Sequence, residues 1–202
     1  MTNEEIFSME DFNKCADFHG HICPGLAIGY RAAKACLDWL QENRAIDEEM
    51  VAMVETNACG TDALQVLTGC TMGKGNLIQK DLGKHVYTMV SRKSGDGVRV
   101  ALKAGAFKLS ERHQELVQKL TNGEATEKDR KEFWRLHHKK AHDILDKPLE
   151  DLFNIRPENI AVPPKAITEP SKPCAICGEP TMLSKLNEKD GQYVCMDCLS
   201  IR

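Results

Sequence analysis

Two Cys-x-x-Cys pairs near the C-terminus constrain this chain more tightly than any other feature. Cys174-Ala175-Ile176-Cys177 and Cys195-Met196-Asp197-Cys198 are separated by 17 residues. That spacing lets four thiolates close tetrahedrally on a zinc ion at about 2.3 Å each. Gly178 permits the tight knuckle that turns backbone amides toward the sulfurs. The stretch from Lys172 to Arg202 holds too little apolar material for a core, so metal binding has to supply most of its folding free energy. A closed four-thiolate shell has no open coordination position, so the zinc expected here is structural. The competing reading, a thioredoxin-like redox dithiol, would need a surrounding β/α domain, which is absent.

A proline-rich stretch precedes this segment. Pro157, Pro163, Pro164, Pro170 and Pro173 mark an extended linker over about Arg156 to Pro173. The chain is therefore expected to divide into a domain over residues 1–165 and a linker with a four-cysteine finger over 166–202. With 202 residues, the first part is long enough for one sizeable core.

The second organising stretch is Phe18-His19-Gly20-His21-Ile22-Cys23-Pro24-Gly25. Pro24 suits the first position of a helix, where no amide partner is needed and its φ is already helical. Cys23 then falls at the N-cap, where free amides and the helix dipole stabilise a thiolate. His19 and His21, two apart, point to the same side of an extended segment and can converge on one ion or substrate.

A short first helix is expected to begin at Ser8 and to turn Phe12, Cys15 and Phe18 inward. Leu26 to about Glu42 keeps helical period, and its small residues (Gly25, Ala27, Gly29, Ala32, Ala33, Ala35) permit the close approach of another element, expected to be a sheet. Cys36 within it reads as packing. Met50–Thr56 reads as a buried strand running into Asn57-Ala58-Cys59-Gly60-Thr61-Asp62, and then into a short helix stopped by Gly69. A glycine-rich loop, Cys70 to Asn76, follows. Cys59 and Cys70 thus flank one short helix and meet at a common site only if the loops fold back. Residues 85–91 and 98–102 form a hairpin around Ser94-Gly95-Asp96-Gly97. Two helices follow, over about 110–120 and 127–145. His138 and His142 on the second are one turn apart but lack a third nearby ligand, and read as surface or partner-facing.

Nine cysteines, an odd number, together with an N-terminus that is no signal peptide, argue against a disulfide framework. They favour reduced thiols in a cytoplasmic protein. A net charge of −3 offers no broad basic field, so neither nucleic acid nor an anionic membrane is an expected partner.

The stretch 18–25 combines with Cys59-Gly60-Thr61-Asp62-Ala63-Leu64-Gln65, with Gly69-Cys70-Thr71-Met72-Gly73-Lys74-Gly75-Asn76 and with Asp81-Leu82-Gly83-Lys84. The combination resembles the E-subunit family of formylmethanofuran dehydrogenase over about residues 10–165, and the tail matches the zinc finger many members append. The tail is also similar to four-cysteine fingers of small bacterial regulators that bind RNA polymerase. The family resemblance implies an α+β fold, with a cleft lined by these His, Cys and Asp residues, usually in a homodimer. It also implies an association with one-carbon metabolism on molybdenum or tungsten enzymes. The chain has no ferredoxin-type cysteine cluster, so it would assist such chemistry or work elsewhere.

The expected architecture is a small mixed or antiparallel sheet packed by helices, followed by a small four-cysteine domain. The candidate cleft ligands are His19, His21, Cys59 and Cys70, a soft set that suits zinc before iron or nickel. Cys23 is the candidate ligand or nucleophile, and Asp62 the base or the orienter of a histidine. The alternative is a non-catalytic accessory or regulatory protein that holds a ligand in the cleft and docks a protein partner through the finger.

Overall fold

The computed structural model describes residues 10–200. The chain divides into two compact units, Met1–Lys165 and Ala166–Arg202. The proposed cap at Ser8 lies outside the described residues. Helix α1, Glu10–His19, buries Phe12 and Cys15. Phe18 does not follow them inward: it is 62% exposed and lies with Lys14, Lys34 and Leu37 along an open groove.

Helix α2, Pro24–Leu40, starts as the sequence dictates. Cys23 is the N-cap in extended conformation (φ −145°, ψ 162°), Pro24 occupies the first turn, and the Cys23 sulfur accepts the Leu26 amide at 3.3 Å. Gln41 ends the helix in the left-handed region at φ 53°. One face of α2 is buried from Pro24 through Cys36.

Strand β1, Met50–Val54, is buried along its whole length because neighbours flank it on both sides. Helix α3, Gly60–Thr68, then leads to β2, Leu77–Gln79, which runs parallel to β1. No strand is expected there from the residues alone. Asn76 makes it possible: its buried side chain donates to the carbonyls of Asp47 and Met50 and accepts the Thr71 amide, pinning the glycine-rich loop beside β1.

Strands β3, Val86–Ser91, and β4, Gly97–Leu102, form the expected hairpin, and β3 also pairs antiparallel with β1. Helices α4, Glu111–Thr121, and α5, Glu127–Asp146, follow. Thr126 and Asp129 form a reciprocal capping box at the start of α5. A short helix α6, Leu149–Leu152, leads into β5, Phe153–Pro157, which pairs with β4. The linker therefore begins later than Arg156. Pro157 is tolerated because β5 is an edge strand of the mixed five-stranded sheet β2-β1-β3-β4-β5.

Two packings position the site. Arg31 of α2 donates to the carbonyls of Ile144 and Leu145, docking the end of α5 on α2. The small residues of α2 admit helix α3 in addition to the expected sheet, on which α2 also packs through β3 and β4. A Cβ on Gly29 would fall 2.1 Å from the Gly60 carbonyl oxygen. Backbone meets backbone at this crossing, so the N-terminus of α3 is carried to the N-terminus of α2.

The second unit consists of two hairpins, β6 (Ser171–Pro173) with β7 (Pro180–Met182) and β8 (Leu186–Lys189) with β9 (Gln192–Cys195), closed by helix α7, Met196–Ser200. Among the described residues, no helix is long and apolar enough to cross a membrane.

Candidate metal centre

The end of α1 and the start of α2 are joined by Gly20-His21-Ile22-Cys23, and Gly20 takes φ +87° to make the turn. This tight connection gathers His19, His21 and Cys23, whose ligand atoms all lie within 4.8 Å of one another. The His19 and His21 rings are 4.4 Å apart between centroids. His19 Nδ1 meets the Asp62 carboxylate, from the first turn of α3, at 2.7 Å. With Nδ1–H donated to Asp62, the lone pair of His19 Nε2 faces the Cys23 sulfur at 3.8 Å. A nitrogen and a sulfur bound to one tetrahedral zinc ion stand about 3.6 Å apart. A carboxylate behind a histidine ligand is the usual way its tautomer and ring are fixed.

The N-cap position does not make Cys23 a thiolate, because burial outweighs the amide that its sulfur accepts. Burial pushes its thiol up to about 11, the Leu26 amide opposes the shift, and the neighbouring Cys59 thiol adds to it. A bound cation would reverse this balance, because the thiolate is the ligand. His21 is held below its ordinary value by burial first, then by His19 and His138.

Helix α5 contributes a wall that local sequence does not assign to the site. The Trp134 ring stands edge-on to His21 at 5.6 Å, and His138 lies 6.0 Å from Trp134. The one-turn spacing of Trp134 and His138 was the available signal, but it indicates only a helix face. Behind them, His113 of α4 and His137 share a hydrogen bond of 3.1 Å.

Cys59 and Cys70 part company. Cys59 is the residue before α3, and its sulfur lies 3.6 Å from where a Cβ on Gly25 would be, on the Cys23 side. Cys70 lies past the opposite end of α3, fully buried, with its thiol toward the Met50 carbonyl at 3.6 Å. The loop does not fold back, because Asn76 and the Lys74 ammonium, bound to the carbonyls of Ile46 and Asp47, tie it to the chain entering β1. Cys70 thus packs near Cys36, away from the histidines. Tyr87, fully buried, places its hydroxyl against Gly60 without a hydrogen-bond partner.

In the second unit, the ligand atoms of Cys174, Cys177, Cys195 and Cys198 also lie within 4.8 Å of one another. Cys177 and Cys195 sulfurs are 3.9 Å apart, against about 3.8 Å for two thiolates on a tetrahedral zinc ion. The amides of Ile176 and Cys195 both point at the Cys174 sulfur at 3.4 Å. Amide donation, from Cys195 first and then Cys177 and Ile176, holds that thiol down at about 6.

Residues 18–154 match a sequence family described as FmdE, Molybdenum formylmethanofuran dehydrogenase operon. The chain belongs to the FmdE family. The match covers the His/Cys connection, α3 with Asp62, and the whole five-stranded sheet up to the start of β5. Among solved structures, this FmdE-family chain is similar to a tungsten formylmethanofuran dehydrogenase FmdE-like protein from Syntrophus aciditrophicus. That likeness has a TM-score of 0.62 and 25% identity, and it covers 99% of this chain and 97% of that one. The chain is also 35% identical over 192 residues to an Archaeoglobus fulgidus protein named as a probable S-adenosyl-L-methionine-binding protein. That alignment takes in 92% of this chain and 51% of the relative, so the chain spans about half the relative's length.

Proposed function

We propose that this FmdE-family chain is a metalloprotein with two different sites. A structural zinc closes the four-cysteine unit. A second soft ion, zinc before iron or nickel, sits in the cleft on His19, His21 and Cys23 and keeps a position open for a small ligand. The observation that carries this reading is the line from the Asp62 carboxylate through His19 to Cys23, 2.7 Å on one side and 3.8 Å on the other. Asp62 is then the residue that orients His19, and Cys23 a ligand.

The name of the Archaeoglobus fulgidus relative suggests S-adenosyl-L-methionine as the ligand. Its amino and carboxylate groups are nitrogen and oxygen donors suited to an open coordination position. We place such a chain in the cytoplasm as a homodimer that serves one-carbon chemistry beside a molybdenum or tungsten enzyme. The finger is available for a protein partner.

Metal content tests the reading. Wild type should carry two ions per chain, and His19→Ala or Cys23→Ser should carry one. Calorimetry with S-adenosyl-L-methionine should give heat only when the cleft ion is present. One ion per chain in wild type, unchanged in His19→Ala, overturns the cleft site.

A second reading has an observation of its own. Cys23, His19 and Asp62 form a thiol–imidazole–carboxylate line of the kind that activates a nucleophile. Against it, Cys23 is only 2% exposed. In metal-depleted protein, alkylation of Cys23 that slows at least tenfold in His19→Gln would favour it.

A further inference from the structure

Cys23 and Cys59 are distant in sequence, yet each stands at the N-cap of a helix, and the Gly29–Gly60 crossing brings those two helix ends together. What separates them is Gly25. A Cβ at residue 25 would lie 3.2 Å from the Cys59 Cβ, 3.6 Å from the Cys59 sulfur and 3.9 Å from the Cys23 sulfur. Glycine therefore leaves open the space through which the two thiols face each other. The sulfurs are also unequal. Cys23 is 2% exposed and its sulfur is engaged by the Leu26 amide, whereas Cys59 is half-buried and makes no cap hydrogen bond. The Cys59 side chain is thus reachable from solvent, and the group it interacts with is the Cys23 thiol.

We propose that Cys23 and Cys59 form a dithiol–disulfide centre that takes two electrons from a peroxide-class oxidant, with Cys59 as the attacking thiol and Cys23 as the resolving one. In the first step, the Cys59 sulfur displaces water from hydrogen peroxide: Cys59–SH and H2O2 give Cys59–SOH and H2O. In the second step, the Cys23 sulfur attacks the sulfenic sulfur, the S–O bond breaks, and the hydroxyl leaves with the thiol proton as water. Both sulfurs end oxidised as one disulfide, and the peroxide ends as two waters. Closing the bond brings the sulfurs to about 2.05 Å, and rotation about the Cys59 Cα–Cβ bond swings its sulfur toward Cys23.

The disulfide also has a consequence for the cleft. It draws the Cys23 sulfur away from its place opposite His19 Nε2, so oxidation removes a ligand and releases the cleft ion. This consequence rests on the metal reading above; the pairing of the two thiols does not.

The test uses the full chain, treated with one equivalent of hydrogen peroxide with and without prior chelation by dipicolinate. Remaining thiols are blocked with N-ethylmaleimide, and the protein is read by non-reducing peptide mass spectrometry. A peptide linked through Cys23 and Cys59 in at least one arm is expected. In Cys23→Ser, Cys59 should stop at the sulfenic acid and be trapped by dimedone. In Cys59→Ser, Cys23 should stay reduced. Gly25→Ala, which fills the gap between the sulfurs, should slow linkage at least tenfold while the circular dichroism of the fold is retained. Both cysteines recovered as maleimide adducts in both arms, or Cys23 linked to a different cysteine, overturns the proposal. Metal content on the same samples reads the other claim separately. A linked peptide formed with no change in bound metal removes the cleft ion and leaves the dithiol standing.

Discussion

Gly29 of α2 and Gly60 of α3 meet backbone to backbone, with the Gly29 Cα 3.0 Å from where a Cβ on Gly60 would stand. The same Cβ would fall 2.2 Å from the Tyr87 hydroxyl and 3.0 Å from the Gly25 carbonyl. This contact sets the spacing between the two helix ends that carry Cys23 and Cys59, and it brings Asp62 within reach of His19.

Substitution at the crossing should therefore be costly. Gly29→Ala and Gly60→Ala each force the helices apart and should destabilise the fold by about 3 kcal/mol, the upper range for overpacking. Gly73→Ala, where a Cβ would meet nothing within 4 Å, should stay within about 0.5 kcal/mol of wild type. Urea denaturation of the three variants reads this directly. Equal stability of Gly60→Ala and Gly73→Ala would show that the helices do not cross at these glycines.

Asp62 should matter for metal binding without being a ligand. Asp62→Asn removes the carboxylate behind His19 Nδ1 and should weaken cleft binding about 10- to 100-fold. The four-cysteine site should be unaffected. Competition against a coloured zinc chelator resolves two affinities in wild type and shows whether only the weaker one moves.

The four-cysteine unit should depend on its ion for folding. Cys174→Ser or Cys198→Ser should release one zinc and unfold residues 166–202, leaving the first unit intact. Limited proteolysis should then leave a protected fragment ending near residue 165. Metal content unchanged in both variants would remove zinc from this unit.

Thiol chemistry should separate core cysteines from the rest. Burial pushes the Cys15 thiol up to about 12 and raises Cys36 as well. At pH 8, Cys15 is then thiolate at roughly one part in ten thousand, and both residues are shielded from solvent. Timed alkylation should label Cys59 well before either. Early labelling of Cys15 or Cys36 would contradict the packing of α1 and α2.

The histidine pair between α4 and α5 should make stability pH-dependent. Burial, then His113, His21 and His138, holds His137 down at about 4 from an ordinary 6.5. Between those values the unfolded chain binds a proton that the folded chain does not. Stability should therefore be fully present above about pH 6.5 and fall as pH drops toward 4. His137→Gln should flatten that slope in thermal unfolding measured across this window.

Local chemistry made much of this protein legible from its residues. Pro24 suits the first position of a helix, which puts Cys23 at its N-cap. Alternating turn residues and β-branched runs marked the β3–β4 hairpin, and the Cys-x-x-Cys spacing marked the tail. His19, His21 and Cys23 are so close in sequence that their convergence follows from one glycine turn. Tertiary structure decided what sequence spacing leaves open. Cys59 and Cys70 flank the same helix, and nothing local says which end faces the histidines. The glycine crossing brought Cys59 to Cys23, while Asn76 and Lys74 tied the other loop to β1 and buried Cys70. Strand β2 is too short to announce itself and β5 is exposed past its first residue, so both exist because β1 and β4 offer them edges. Trp134 and His138 reach the site only through the docking of α5 on α2, a long-range contact that the spacing of residues along one helix cannot encode.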